Sequence, residues 1–166
     1  MKFLEMINAN GYEVIVSLIL SNFIAQFIKT FFFTIKRRKI NLALFFATGG
    51  MPSSHSSTVT AMATTIGLLS GFDSLIFALA ACIAGIVMFD AAGVRMAASK
   101  QAIVLNKIIR EILSPDSVVS KERMKEFLGH TPTQVFAGAA LGIAVAIGLR
   151  EFIKYSVGEP SIFPLF

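Results

Sequence analysis

The sequence predicts an all-α integral membrane helical bundle of about four spans, with a further helix on the cytoplasmic-side interface and a single domain over residues 1–166. Three observations lead there. Hydrophobic residues make up 55% of the chain and charged residues only 15%, against a usual charged share of about 25%. Mean hydropathy is +0.73, more apolar side chain than a soluble monomer of this size can bury and far too much for a disordered chain. Apolar runs close to the ~20 residues needed for a bilayer crossing recur along the chain. The net charge of +5 then reads as basic segments on the cytoplasmic side rather than as a nucleic-acid surface.

The first span runs from about Tyr12 to Ile35 and ends in Lys36-Arg37-Arg38-Lys39. Its length, and the absence of a basic start beyond Lys2 or a small-residue cleavage site, argue against a signal peptide. The second, about Ser56 to Gly71, is short for a crossing, so it tilts, begins below the membrane surface or is partly re-entrant. The third extends roughly from Ser74 to Gly93. An amphipathic helix from Arg95 to Leu113 follows, with Val104, Ile108 and Ile112 recurring at i+4, and Ser114-Pro115-Asp116 stops it. The fourth span runs from about Pro132 to Phe152, and within it Gly138-x-x-x-Gly142 fits close helix packing inside the protomer or, as the lesser alternative, a homodimer seam. Lys36 to Lys39 after span one, and Arg95, Lys100, Lys107, Arg110, Lys121, Arg123 and Lys125 between spans three and four, share one face if both termini lie outside. That orientation gives a multi-pass protein of the cell membrane with its basic face cytoplasmic. Cys82 reads as a packed apolar residue, no Cys/His spacing suggests a metal or cofactor, and no P-loop, dinucleotide fingerprint or HExxH occurs.

Some residues need an explanation beyond apolar packing. In Gly49 to Ala61, GGMPSSHSSTVTA, a turn leads into serines that open span two. Ser53 or Ser54 suits an N-cap, the first-turn N–H groups behind it attract anions, and His55 stands beside them. In Gly129-His130-Thr131-Pro132-Thr133-Gln134, Thr131 suits an N-cap, Pro132 the first helical position, and Gln134 completes a capping box. The chain's two histidines thus each adjoin a helix N-terminus on the same expected face. Asn22, Gln26 and Lys29 make a polar stripe in span one, which faces the bundle interior unless Lys29 merely snorkels. Asp90 lies near the end of span three and needs a partner, Lys29 or Arg95. If the helix continues past Gly93, Asp90 shares a face with Gln101.

The strings GGMPSSHSSTVTAMATTIGL, MFDAAGVRMAASKQAIVLN and LGHTPTQVFAG together resemble the divergent branch of the type 2 phosphatidic acid phosphatase superfamily, from about Asn22 to Leu149. That superfamily includes lipid phosphate phosphatases, and vanadate-dependent haloperoxidases share its core. Pro52-Ser53-Ser54-His55 resembles its Pro-Ser-Gly-His motif, His130 to Gln134 resembles the end of its Ser-Arg-x5-His-x3-Asp motif, and Lys29 followed by Lys36-Arg37 resembles its Lys-x6-Arg-Pro motif. The departures are Ser54 for glycine, Met124 where the third motif has arginine, Gln134 where it has aspartate, and no Arg-Pro in register in the first.

The resemblance implies a metal-independent lipid phosphate phosphatase acting on a phosphomonoester or diphosphate. His130 would be the nucleophile, giving a phosphohistidine, and His55 would protonate the leaving alkoxide. Ser53, Ser54 and the local backbone, with Lys29, would hold phosphate. Arg95 and Lys100 are expected to supply the missing phosphate contacts and Asp90 the missing charge, with Gln26, Gln101 and Gln134 in support. Both imidazoles must then reach one anion, with about 5 to 8 Å between rings. The alternatives are a non-catalytic protein that binds anionic lipid headgroups through the same face, and a small oligomeric transporter. Clustering of the polar residues at one end ranks the transporter last.

Overall fold

The computed structural model describes residues 2–37, 50–112 and 129–162. These form six helices and, among the described residues, no strand: α1 Lys2–Ile7, α2 Gly11–Arg37, α3 Ser54–Ser70, α4 Leu75–Ala92, α5 Val94–Ile112 and α6 Pro132–Val157. Arg38, Lys39, Lys121 to Glu126, the stop at Ser114 to Asp116, and the side chains of Lys36, Arg37, Arg110 and Ile112 lie outside the described residues.

Among the described residues, three stretches are long and apolar enough to cross a membrane: Gly11–Ile35, Leu75–Ile109 and Pro132–Val157. α3 has 17 residues, about 25 Å at 1.5 Å per residue, short of a hydrocarbon core of about 30 Å. The count of four spans is therefore approximate: α3 is a fourth membrane helix by position but not by length. It packs against α2, α4 and α6, which explains how a helix with so many serines and threonines tolerates an apolar setting.

Capping chemistry sets the helix boundaries. Ser53 caps α3, its hydroxyl accepting the Ser56 N–H, and Ser74 caps α4 by accepting from Phe77 at 3.2 Å. Gly71, at φ +91°, turns the chain between them. Gly93 separates α4 from α5. Thr131 and Gln134 form the complete capping box of α6 with Pro132 at its start, and Gly158 closes that helix in the left-handed conformation. α1 and the last turn of α6 were not legible as elements.

The antiparallel α2–α3 seam is polar. Thr65 donates to Ser17 at 2.8 Å, Ser21 and Ser57 hydroxyls meet at 2.5 Å, Asn22 donates to Thr58 at 3.0 Å, and Gln26 donates to Ser54 at 3.3 Å. The stripe of span one faces inward, and Ser17 and Ser21 extend it. The α3–α6 seam runs parallel and depends on bare glycine. A Cβ on Gly138 would lie 2.3 Å from the Ser53 carbonyl oxygen, and one on Gly142 would lie 2.1 Å from Thr60 Oγ1 and 2.2 Å from the Ser57 carbonyl. The Gly138/Gly142 pair therefore serves packing inside the protomer. α4 buries only Ala80, Ala84 and Ala91, and Leu75, Ile86 and Phe89 point outward. Cys82 is also exposed, so it is not the packed residue expected; the inward positions of α4 are taken by alanines.

At the end of the bundle away from the histidines, Arg150 and Glu13 form a buried ion pair at 3.1 Å. Arg150 also donates to Asn8 at 2.7 Å, and Glu13 accepts the Ala9 N–H at 2.8 Å. This cluster ties α1, the start of α2 and the end of α6 together. Truncation of one partner leaves the other charge buried, so Arg150→Ala is expected to destabilise by about 3–5 kcal/mol, with Glu13→Gln/Arg150→Met restoring most of the loss. In thermal unfolding in detergent, Gly142→Ala is expected to destabilise by about 1–3 kcal/mol through overpacking. Gly148→Ala, with open space around it, is expected to be neutral or to stabilise by up to ~1 kcal/mol.

Candidate functional site

Four segments converge at one end of the bundle: the Gln26–Lys29 turn within α2, the N-terminus of α3, the α4–α5 junction and the N-terminus of α6. Backbone hydrogen bonds hold them. The Ser53 N–H donates to the Gln134 carbonyl at 3.1 Å, joining the α3 and α6 starts, and the His130 N–H donates to the Ala91 carbonyl at 3.0 Å, joining the α6 start to α4. Gly129 lies flat on the first turn of α5, where a Cβ would sit 2.4 Å from Met96 backbone atoms. Bare backbone at Gly129 is what lets His130 enter beside Arg95.

The result is a pair of imidazoles. The rings of His55 and His130 lie 6.3 Å apart, centroid to centroid, at 61°. His130 is buried and His55 half-buried. Gln134 fixes the first ring: its Oε1 lies 3.2 Å from His130 Nδ1 and also accepts the Thr131 N–H at 3.1 Å. A carbonyl oxygen accepts only, so Gln134 favours the neutral tautomer that carries its proton on Nδ1; the Gly50 backbone is a second hydrogen-bond partner of the ring. One glutamine thus completes the capping box and orients the imidazole. Burial pushes the His130 pKa below its ordinary value, against the hydrogen bonds to Gln134 and to the Gly50 backbone, which pull it up; the nearby Lys29 and Arg95 charges add to the depression.

Lys29 is buried, with its alkyl chain against Gly50. It does not snorkel; Gly50, at φ +88°, offers no Cβ to obstruct it. Asp90 pairs with Arg95 at 2.7 Å, both partly exposed. The His55 ring lies within electrostatic range of Lys29, Asp90, Arg95 and His130, so these five groups form one ensemble. The Asp90 carboxylate acts on His55 and steers Arg95, whereas His130 takes its orientation from Gln134. Ser53 Oγ caps α3, accepting from Ser56 N at 3.3 Å and from Ser56 Oγ at 3.0 Å, and Ser54 Oγ accepts from Gln26; in these bonds both hydroxyls act as acceptors. The N–H groups of the first α3 residues and the O–H protons of Ser53 and Ser54 are thus the donors that this turn can offer an anion. Lys100 and Gln101 are exposed on α5, and no hydrogen bond among the described residues links them to the imidazoles. The break at Gly93 ends the shared face expected for Asp90 and Gln101.

A family described as the Divergent PAP2 family matches residues 11–145. The chain belongs to that family. Within it, the uncharacterized membrane protein YuiD of Bacillus subtilis (strain 168) is 43% identical, over 77% of this chain and 87% of its own length. No solved structure matches. Divergent PAP2 membership and the three apolar stretches together make this a membrane protein.

The geometry predicts an NMR titration. His130 is expected to titrate below 6.5, and Gln134→Leu to lower its midpoint further by removing the bond that favours the cation. Since the native state resists protonation of His130, the stability it contributes is present above pH 6.5 and is lost as pH falls through the depressed native value. Unfolding midpoints measured across this range in detergent are expected to fall on the acid side.

Proposed function

We propose that this protein is a lipid phosphate phosphatase that works through a phosphohistidine. The observation that carries the reading is the pair of imidazoles 6.3 Å apart, each at the N-terminus of a helix and surrounded by Lys29 and Arg95. Membership of the Divergent PAP2 family supports it.

Phosphoryl transfer asks a protein mainly for positioning and charge stabilisation. Neutral His130, its Nδ1–H held by Gln134, attacks phosphorus in line through Nε2. Protonated His55 gives its proton to the leaving alkoxide as the P–O bond breaks. His55, now neutral, takes a proton from water, which attacks the phosphohistidine and releases inorganic phosphate and free His130. Lys29, Arg95 and the first N–H groups of α3 hold the equatorial oxygens. Asp90 holds the Arg95 guanidinium in place. Lys100 stands outside this constellation, and no metal takes part in these steps. The basic face is cytoplasmic in this reading, with the headgroup entering from the inner leaflet.

The test is phosphate release from phosphatidic acid, phosphatidylglycerol phosphate and a polyprenyl diphosphate by purified protein in EDTA. Release is expected, with His130→Ala lowering it at least ~10³-fold and His55→Ala ~10²-fold or more, and with orthovanadate inhibiting. The acid limb of kcat/KM is expected below pH 6.5, because His130 must be neutral to attack. No release from any of the three at several pH values defeats the reading. Phosphate analogues that stabilise the protein without turnover would instead indicate a headgroup-binding protein.

A further inference from the structure

Beside the imidazole site lies a cavity of about 450 Å³ lined by Ile28, Phe32, Met51, Pro52, Ala137 and Leu141. We infer that it seats a hydrocarbon chain of the lipid whose phosphate lies between His55 and His130. This inference rests on the phosphatase reading and adds to it the tail-binding residues and the route of entry.

The argument is one of continuity. The cavity lies between α2 and α6 and is closed on one side by the turn that leads into α3. At two of its three walls a lining residue stands next in sequence to a residue of the polar site: Ile28 precedes Lys29, and Pro52 precedes Ser53. On α6, Ala137 and Leu141 precede Gly138 and Gly142, the glycines that hold α6 against α3. The wall that is apolar on one side is therefore cationic or rich in helix N–H on the other. An amphiphile with an anionic head and an apolar chain matches both sides at once, whereas a soluble phosphate ester matches only one. All six lining side chains are apolar, which excludes a polar substituent from this cavity. Phe32 and Met51 are 63% and 56% exposed and form its mouth on the outer surface of the bundle, where α2 and α6 face lipid. The substrate accordingly arrives from the side, its chain sliding between α2 and α6, and never leaves the plane of the membrane.

Two measurements test this. In phosphatidylcholine vesicles, phosphatidic acid carrying a diazirine in one acyl chain is expected to label Ile28, Phe32, Met51 or Leu141 on irradiation, and phosphatidylcholine with the same chain is expected not to. Equal labelling by both lipids, or labelling elsewhere, overturns the inference, because the cavity would then be ordinary lipid-facing surface. In kinetics, Ala137→Phe and, at an exposed position, Met51→Trp are expected to lower the ratio of kcat/KM for dipalmitoyl phosphatidic acid to that for p-nitrophenyl phosphate by about tenfold. The ratio cancels losses of folded protein. An unchanged ratio in both variants overturns the inference while leaving the phosphatase reading intact. Phosphate-dependent labelling in the cavity with no hydrolysis by the unaltered protein does the reverse: it defeats the phosphatase reading and leaves a site that binds head and tail together.

Discussion

The architecture depends on how closely α6 approaches α3. Two glycines bring the backbone of α6 within reach of the Ser53 and Ser57 carbonyls and the Thr60 hydroxyl, whose single proton is shared between the Ser56 carbonyl of its own helix at 2.8 Å and the Ala139 carbonyl of α6 at 3.1 Å. In lipid there is no hydrophobic force between helices, so contact of this kind, with dispersion and interhelical hydrogen bonds, must provide the association. Because the two helices run parallel, the same contact sets their N-termini side by side. His55 is on one and His130 immediately precedes the other. A methyl group at either glycine would separate the helices and also the rings.

The polar α2–α3 seam has the complementary role. Each of its hydrogen bonds contributes only about 0.6–2 kcal/mol in a membrane, but the four residue pairs that make them, spaced along both helices, admit a single register. That register places Gln26 against Ser54 and hence Lys29, one turn further on, beyond the start of α3 and against Gly50. A short α3 is a requirement of this arrangement. Because it begins opposite Gln26, well before α2 ends at Arg37, its free N–H groups open alongside the continuing α2 helix.

Much of the fold was legible because apolar runs and caps are local signals. Ser53, Ser74, Thr131 and Gln134 stand where capping chemistry puts them, and the two histidines could be paired because each adjoined such a cap. What could not be read depends on long-range partners. Ser17 and Ser21 are unremarkable until Thr65 and Ser57 stand opposite them, and Arg150 looks like an ordinary interfacial charge until Glu13 faces it. The shared face of Asp90 and Gln101 assumed an unbroken helix, and Gly93 breaks it. The sequence pattern marks Gln134 as a cap, and its second role, orienting His130, needs the folded geometry to show; one oxygen with two lone pairs serves both.

The buried Glu13–Arg150 pair has a consequence for biogenesis. Its carboxylate is synthesised with the first long helix and its guanidinium with the last, so the negative charge waits at the membrane border without its counter-ion while the intervening helices are threaded in. Chain growth proceeds from the N-terminus, so this clasp cannot form until the last long helix has been made. A polypeptide arrested before Arg150 would hold both histidines and yet lack the contact that fastens its first helix to its last.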